Sequence, residues 1–304
     1  MRIFLTGGTG YIGSAVLDSL VRAGHRVDAL VRNSERAALV QARGAHPVIG
    51  DLAAPATWAE AASGAEGAIH TALDHGARLV PADEAVIATL TSLPPRDGGR
   101  FLIYTSGIWV LGSTSNLGAD EAAPYDPVEI SAWRVPHERR VLDAQGEGLR
   151  TVVVRPGIVY GGSDGIVGDL FRDAANGLIR VVGEGRNHWP LVYDRDLGDL
   201  YARLAAAQDA SGVFHANDEG DERVADLVSA IAAQVPSAPS IRHIPLPEAR
   251  QKMGAYADAL ARDQILRSPR AHALGWRPTL RSVAENAARL FEEWRHGTQA
   301  TEKH

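Results

Sequence analysis

The chain has 304 residues, 45% hydrophobic content, a formal net charge of −6 and no cysteine. This composition is typical of a globular protein, and it excludes disulfides and thiolate metal sites. With a negative net charge and no basic run, nothing in the sequence indicates a nucleic-acid surface. Because no apolar stretch is long enough to cross a bilayer and the first strand begins at once, we expect a cytoplasmic protein without membrane or nucleic-acid partners.

The first thirteen residues predict a strand, a glycine-rich turn and the start of a helix, the order that a dinucleotide site needs. Gly7 lets the chain turn sharply, Gly10 leaves room for a pyrophosphate, and Gly13 lets the helix pack close to the sheet. The backbone N–H groups of Tyr11 and Ile12 are then expected to face the phosphates at the positive end of the helix dipole.

Strand and helix patterns alternate through the first half of the chain. Short apolar runs predict strands at 3–5, 27–31, 47–49, 67–70, 101–104 and 151–154, and helix patterns lie at 13–23, 34–43, 57–62, 83–93 and 131–145. Nearly continuous apolar strands are typical of a parallel sheet that is covered on both faces. The repetition predicts an α/β fold with a doubly wound parallel Rossmann sheet.

The second half is less regular and predicts a smaller C-terminal substrate-binding lobe. It contains a glycine loop at 161–165, helices at 168–176, 196–207 and 224–234, strands at 179–182 and 213–216, a Pro- and Ser-rich connector at 233–247, and a polar, frayed tail after 294. We therefore predict a Rossmann domain over 1–160, to which about 190–216 return. The lobe would comprise about 161–189 and 217–304.

The end of the second strand indicates which dinucleotide binds. Val31 and Arg32 stand where an NAD-binding protein usually carries a carboxylate for the ribose 2′-hydroxyl, and Asp28 lies too early in the strand. Arg32 can bind a 2′-phosphate through charge-assisted hydrogen bonds. The alternative interpretation of Arg32 is a solvated cation in a loop. NADP is therefore favoured as the cofactor, with NAD as the second possibility.

Six segments resemble one known superfamily in the expected order: 6–13, 50–52, 68–72, 102–107, 155–161 and 191–197. The chain resembles the extended or atypical short-chain dehydrogenase/reductases, which include the NAD-dependent epimerase/dehydratase-like proteins. The resemblance implies further cofactor contacts from Leu52, Thr71, Ala72 and Pro156. It places Asp51 at the adenine amino group, although an Asx turn is an equal alternative for this residue.

The resemblance also implies substrate-side residues. Ser106 ends the fifth strand, where the family has its catalytic Ser or Thr, and would hydrogen-bond a substrate carbonyl. Tyr160 and His188 are further candidates for substrate contacts, and a purely structural role is the alternative for His188. Asp74 and His75 follow the fourth strand and form a candidate acid/base pair.

The active-site helix departs from the family motif Tyr-x-x-x-Lys. None of the seven tyrosines has a lysine four residues later, and the best alignment places Trp133 in the Tyr position and His137 in the Lys position. An indole cannot act as a general acid near neutral pH, so we expect Trp133 to line the pocket. His137 is expected to contact the cofactor, and it is also a candidate proton donor.

These features predict an NADP(H)-dependent oxidoreductase of a small organic carbonyl or alcohol. The alternatives are a sugar or natural-product epimerase or dehydratase that uses bound cofactor, and a catalytically degenerate NADP-binding sensor. No metal is expected, because no cluster has metal-ligand spacing. A homodimer is expected through the helices at 83–93 and 131–145, where an apolar stripe comprises Val86, Ile87, Leu90 and Leu93; the alternative is that this stripe faces the sheet.

Overall fold

The computed structural model describes residues 1–114 and 117–301. Its strands are β1 Arg2–Thr6, β2 Arg26–Val31, β3 His46–Ile49, β4 Gly67–His70, β5 Arg100–Thr105, β6 Leu149–Pro156, β7 Ile158–Tyr160, β8 Leu178–Val182, β9 His188–Trp189, β10 Leu191–Tyr193, β11 Gly212–Ala216, β12 Glu222–Arg223 and β13 Ser240–Ile244. Its helices are α1 Tyr11–Arg22, α2 Ser34–Ala42, α3 Ala59–Ser63, α4 Leu79–Thr91, α5 Arg134–Asp143, α6 Gly165–Ala175, α7 Asp194–Ala206, α8 Val224–Ala232, α9 Leu246–Met253, α10 Tyr256–Ala261, α11 Pro269–Ala273 and α12 Ala287–Thr301.

Seven strands form one parallel sheet in the order β11-β6-β5-β4-β1-β2-β3. From β1 the chain builds outward through β2 and β3, and it then returns to the other side of β1 with β4. The strand order therefore reverses between β1 and β4, and the carboxyl ends of these strands border a crevice. The doubly wound parallel Rossmann sheet predicted from the sequence is confirmed.

Helices cover both faces of the sheet. Apolar residues of α1, α2 and α7 pack on one face in a cluster that includes Leu17, Leu20 and Leu200. On the other face, α3, α4 and α5 contribute to a cluster that includes Ile87 and Val141. Because both faces are buried, the central strands have few polar positions, which explains their continuous apolar sequence.

The apolar stripe on α4 faces the sheet of its own chain. Val86, Ile87 and Leu90 are at most 3% exposed and pack in the α3–α4–α5 cluster, with Leu93 against its edge. This corrects the expectation that the stripe forms a dimer interface, because those side chains are already covered. On the outer side, Arg140 of α5 lies 3.2 Å from Glu84 of α4.

A second hydrophobic core, in the C-terminal half of the chain, is built from α6, α8, α12 and short strand pairs, and the elements that pack in it are called the C-terminal lobe below. Part of the expected connector is β13, which pairs in parallel with β8. Four of its five residues are exposed, so it lacks the apolar run that would have predicted it. The tail after 294 is helical to Thr301 rather than frayed, and 302–304 lie outside the described residues. Within the described ranges, no helix has the length and apolarity needed to cross a bilayer.

Candidate active site

A cavity of about 480 Å³ opens at the carboxyl ends of β1, β2 and β4. It lies at the reversal of strand order, where open parallel sheets bind ligands. Of the residues predicted to bind a cofactor, those that line it are Gly7, Gly10, Tyr11, Ile12, Gly13, Arg32, Asp51, Leu52, Thr71 and Ala72. The structure thus brings most of the predicted nucleotide contacts to one cavity.

The glycine turn between β1 and α1 is packed too closely for side chains at Gly7 and Gly13. Gly7 has a φ of +80°, and a Cβ there would lie 2.6 Å from the backbone nitrogen of Ala72. A Cβ on Gly13 would lie 2.0 Å from the carbonyl oxygen of Gly7. Gly10 is the N-cap of α1, and no side chain caps this helix. Its first N–H groups therefore stay available for an anion, and the turn fits a pyrophosphate.

Two arginines stand at the β2 end of the cavity. Arg32 directly follows β2, Arg36 lies in the first turn of α2, and both line the cavity and are exposed. Neither is ion-paired with another described residue. Arg36 was not among the residues predicted from sequence, although its place one turn after the strand end was a usable signal. The pair fits an anionic group at this end of a bound nucleotide.

Asp51 is held in place by its neighbours. Its Oδ1 accepts a hydrogen bond from the backbone nitrogen of Ala53 at 3.0 Å, which is the Asx-turn alternative, and lies 2.5 Å from Nη2 of Arg78. These contacts, with the Ala53 bond foremost, lower the pKa of Asp51. The carboxylate lines the cavity with its charge already paired.

Ser106 directly follows β5 and has an unpartnered hydroxyl. Its backbone nitrogen donates to the carbonyl oxygen of Val154 at 2.8 Å. The residue is 5% exposed, and its Oγ is sealed from solvent without a hydrogen-bond partner. A buried unpaired hydroxyl costs about 1–3 kcal/mol. Ser106 therefore keeps an unpaired hydroxyl at the carboxyl end of β5, although it is not among the residues that line the cavity.

A chain of buried polar side chains runs from β1 to α5. The hydroxyl of Thr6 lies 2.6 Å from Nδ1 of His70, and Nε2 of His70 lies 3.0 Å from Oδ1 of Asp83. Oδ2 of Asp83 lies 2.6 Å from Nδ1 of His137 and accepts from the Tyr104 hydroxyl at 3.0 Å. Burial raises the pKa of Asp83, but hydrogen bonds from His137 and His70 outweigh it, and the net pKa lies well below the usual range. Asp83 was not among the site residues predicted from sequence.

Trp133 immediately precedes α5 and packs edge-on against His137, with ring centroids 5.3 Å apart. Its indole N–H donates to the carbonyl oxygen of Ile130 at 3.1 Å. The guanidinium of Arg134 lies 4.4 Å above the Trp133 ring and donates to the carbonyl oxygen of Thr105 at 3.1 Å. Arg134, another residue missed from sequence, thus anchors the start of α5 to the end of β5.

The structure corrects the substrate contact expected of Tyr160. This residue is fully buried, and its hydroxyl donates to Asp218 at 3.2 Å and to the carbonyl oxygen of Leu280 at 3.1 Å. Its polar atom is therefore committed to the core of the C-terminal lobe. His188 lies on β9, with Nδ1 2.9 Å from Asp263, and its substrate contact stays a prediction.

Three further expectations differ from the observed lining. His137 and Pro156 are not among the residues that line the cavity, and Pro156 is buried at the end of β6. Asp74 and His75 do line it, but Asp74 lies 3.2 Å from Arg78 and accepts from the backbone of His75, so the two side chains form no acid/base pair. Within 1–114 and 117–301, no group of three His, Asp or Glu is arranged to hold a metal.

Comparisons with known proteins agree with this geometry. Residues 7–169 match a family model described as NAD(P)H-binding. An uncharacterised protein of Schizosaccharomyces pombe is 32% identical over 291 residues, which cover 92% of this chain and 95% of that protein. The 4-hydroxy-2-methyl-3-oxo-4-farnesyl-3,4-dihydroquinoline-1-oxide ketoreductase of Stigmatella aurantiaca is 36% identical over 173 residues, 54% of this chain and 52% of its own length.

The fold also occurs in a solved structure. The dTDP-glucose 4,6-dehydratase of Streptomyces venezuelae, determined with NAD bound, aligns with a TM-score of 0.81 over 99% of this chain and 98% of its own. The two sequences are 19% identical, so the likeness concerns the fold.

Proposed function

The chain belongs to the NAD(P)H-binding family within the extended short-chain dehydrogenase/reductase superfamily, and from this premise we propose that it is an NADPH-dependent reductase of a small organic carbonyl compound. The observation that carries the proposal is the cavity at the glycine turn, on the same sheet edge as the unpartnered hydroxyl of Ser106. The ketoreductase among its relatives supports the carbonyl class, although the match covers about half of that protein.

The proposed preference for NADPH rests on charge at the β2 end of the cavity. Arg32 and Arg36 offer two unpaired guanidinium groups there, and Val31 provides no carboxylate for a ribose 2′-hydroxyl. Guanidinium groups bind phosphate oxygens through charge-assisted hydrogen bonds. Asp51 does not oppose a phosphate strongly, because Arg78 pairs with it.

In this proposal, separate residues bind the cofactor and polarise the substrate carbonyl. The N-terminus of α1 holds the pyrophosphate, and Arg32 with Arg36 holds the 2′-phosphate. When bound, the reduced nicotinamide supplies a hydride. Ser106 donates a hydrogen bond to the carbonyl oxygen and stabilises the negative charge that grows there. Trp133 forms a wall of the substrate pocket.

The proposal is tested by following NADPH oxidation with a panel of ketones. We expect net consumption of NADPH with a ketone, and we expect Ser106→Ala to lower kcat/KM by about a hundredfold or more, as loss of one oxyanion donor does. Ser92→Ala is the matched control, because Ser92 is an exposed serine at the far end of α4. It should leave the kinetics unchanged.

Other results would point to the alternative functions. Turnover of a sugar nucleotide without net NADPH consumption would identify an epimerase or dehydratase and contradict the reductase. Tight NADPH binding without turnover of any ketone would identify a sensor. Calorimetry on the same preparations measures the binding and so separates a sensor from a protein that binds no cofactor.

A further inference from the structure

Asp83 and His137 join two helices at the sheet edge that carries the cavity. Oδ2 of Asp83, on α4, lies 2.6 Å from Nδ1 of His137, on α5, and both side chains are less than a tenth exposed. A carboxylate that accepts from Nδ1–H fixes the orientation of an imidazole and directs Nε2 away from itself. The pair therefore has the geometry of an oriented acid/base group.

The remaining contacts identify Nε2 of His137 as the free end of the buried network. Both ring nitrogens of His70 are occupied, by Thr6 on one side and by Asp83 on the other. His137 differs, because its Nε2 has no hydrogen-bond partner in the described chain and is not among the nitrogens sealed from solvent. A new hydrogen bond to this nitrogen would replace none within the described chain.

Two buried tyrosines near this edge, Tyr104 and Tyr201, are poor proton donors. Burial, with the charge of Asp83, raises the pKa of Tyr104 well above its usual value, and its hydroxyl is already bonded to that carboxylate. Burial also raises the pKa of Tyr201, whose hydroxyl lies 2.6 Å from Oγ1 of Thr105. Since Trp133 occupies the position of the catalytic Tyr in the resembled motif, His137 is the oriented titratable group left beside it.

The start of α5 places the imidazole of His137 near the end of β5. Arg134 donates to the carbonyl oxygen of Thr105, the residue before Ser106, and Trp133 packs edge-on against His137. The sealed hydroxyl of Ser106 and the free Nε2 of His137 thus belong to adjoining segments at the carboxyl edge of the sheet.

We propose that His137, oriented by Asp83, is the proton donor of this site and delivers the proton on Nε2 to the substrate oxygen. The inference rests on the proposed reductase function. In the step, the hydride electron pair forms a C–H bond at the carbonyl carbon, the C=O π bond breaks, and the oxygen takes the proton from Nε2. The carbonyl is reduced to an alcohol as the nicotinamide is oxidised, and the neutral imidazole regains a proton from water.

Two variants separate this role from cofactor binding and from simple packing. We expect His137→Gln and Asp83→Asn to lower kcat with a ketone by about a hundredfold or more, the usual contribution of a positioned acid. Calorimetry should show NADPH dissociation constants close to the wild-type value. His243→Gln is the control, because His243 is an exposed histidine on β13 in the other lobe.

Chemical rescue distinguishes loss of the proton donor from partial destabilisation of a variant. Imidazole added to His137→Ala should restore part of the lost kcat, and it should restore nothing in Ser106→Ala. In the wild type, the proton on Nδ1 of His137 should give a low-field imidazole resonance in NMR spectra of ¹⁵N-histidine-labelled protein. Asp83→Asn should shift this resonance if Asp83 positions the ring.

The outcomes distinguish the two proposals. Wild-type turnover that persists in His137→Gln would overturn the proton donor and leave the reductase intact. Weaker NADPH binding with unchanged kcat would assign the ring to the cofactor ribose and also overturn it. A wild-type chain that binds NADPH and reduces no ketone would overturn both proposals.

Discussion

Arg32 and Arg36 are the residues on which the proposed preference for NADPH rests. They come from the end of β2 and the start of α2, so one bound group at the cavity can contact both. A phosphate monoester carries close to two negative charges near neutral pH, whereas a ribose hydroxyl carries none. Under the proposed function, the two guanidinium groups would favour NADPH over NADH through this difference in charge.

Arg32→Ala is expected to weaken NADPH binding while NADH binding stays nearly unchanged. Loss of a charge-assisted contact costs about 1.5–3 kcal/mol, which corresponds to a tenfold to hundredfold rise in the dissociation constant. Arg36→Ala should act in the same direction. Calorimetric titration with both nucleotides measures the effect, and Arg180→Ala, an exposed arginine on β8, is the matched control. Equal NADPH affinity in wild type and Arg32→Ala would remove Arg32 from the site.

Sequence alone predicted the positions at the cavity that follow from local spacing. The glycine turn and the strand end at Arg32 depend on a few consecutive residues, and the structure places both at the cavity. The pairing of Asp83 with His137 spans 54 positions, and that with His70 spans 13. No periodicity in the chain signals such contacts, because the folded sheet and its two covering helices create them.

Helix α7 begins with Asp194, whose carboxyl group lies where burial disfavours its ionised form. Burial raises the pKa of Asp194 to about 6, although the backbone nitrogen of Arg195 donates to its Oδ1 at 2.7 Å and opposes the shift. The neighbouring Glu293 raises it further. Ionised Asp194 is therefore less stable in the folded chain than in the unfolded one.

Asp194→Asn tests this effect through the pH dependence of stability. Because the folded pKa is raised, the wild-type carboxyl stabilises the fold below pH 4, and that stability is lost as pH rises to about 6. Relative to wild type, the Asn variant should gain about 1–3 kcal/mol in unfolding free energy between pH 4 and pH 8. Urea unfolding at each pH measures the gain. Asp97→Asn, at an exposed loop residue, is the control, and a pH-independent difference at position 194 would contradict the argument.

Elements were predictable where they are buried and ambiguous where they are exposed. The strands of the central sheet were found from their apolar runs, whereas β13 was missed because most of its residues face solvent. The start of α5 was placed at 131, but a separate turn of 3₁₀ helix spans Glu129–Ser131 and the helix begins at Arg134. At that boundary, Arg134 donates to the carbonyl oxygen of Thr105 and so ties the start of the helix to the end of β5.

One segment of the chain joins the core on the face of the sheet that α1 and α7 cover to the core of the C-terminal lobe. Trp276 packs in the cluster of α1 and α7, whereas Leu280 and Val283 pack in the lobe. Between them, Thr279 donates to Asp196 from its backbone nitrogen and its hydroxyl, each at 2.8 Å. Asp196 lies in the first turn of α7. This direct link predicts that the two cores unfold together.

The surfaces of α4 and α5 limit how two chains could associate. The apolar stripe of α4 is covered within its own chain, so a dimer through α4 and α5 would have to use their outer surfaces, where Glu84 and Arg140 pair. The homodimer therefore stays a prediction without the apolar face that first suggested it.

If the two cores unfold together, a bound cofactor should stabilise both of them. A ligand that binds only the folded state stabilises it by about 2.7 kcal/mol at a hundred times its dissociation constant. If the cores unfold together, NADPH bound at the glycine turn should stabilise the distant lobe by the same amount. Urea unfolding followed by far-ultraviolet circular dichroism and by tryptophan fluorescence should then give one coincident transition, shifted equally by NADPH. NADH at the same concentration, which lacks the 2′-phosphate, should shift it less. Two transitions, only one of which moves with NADPH, would show that the link through Asp196 does not couple the lobes.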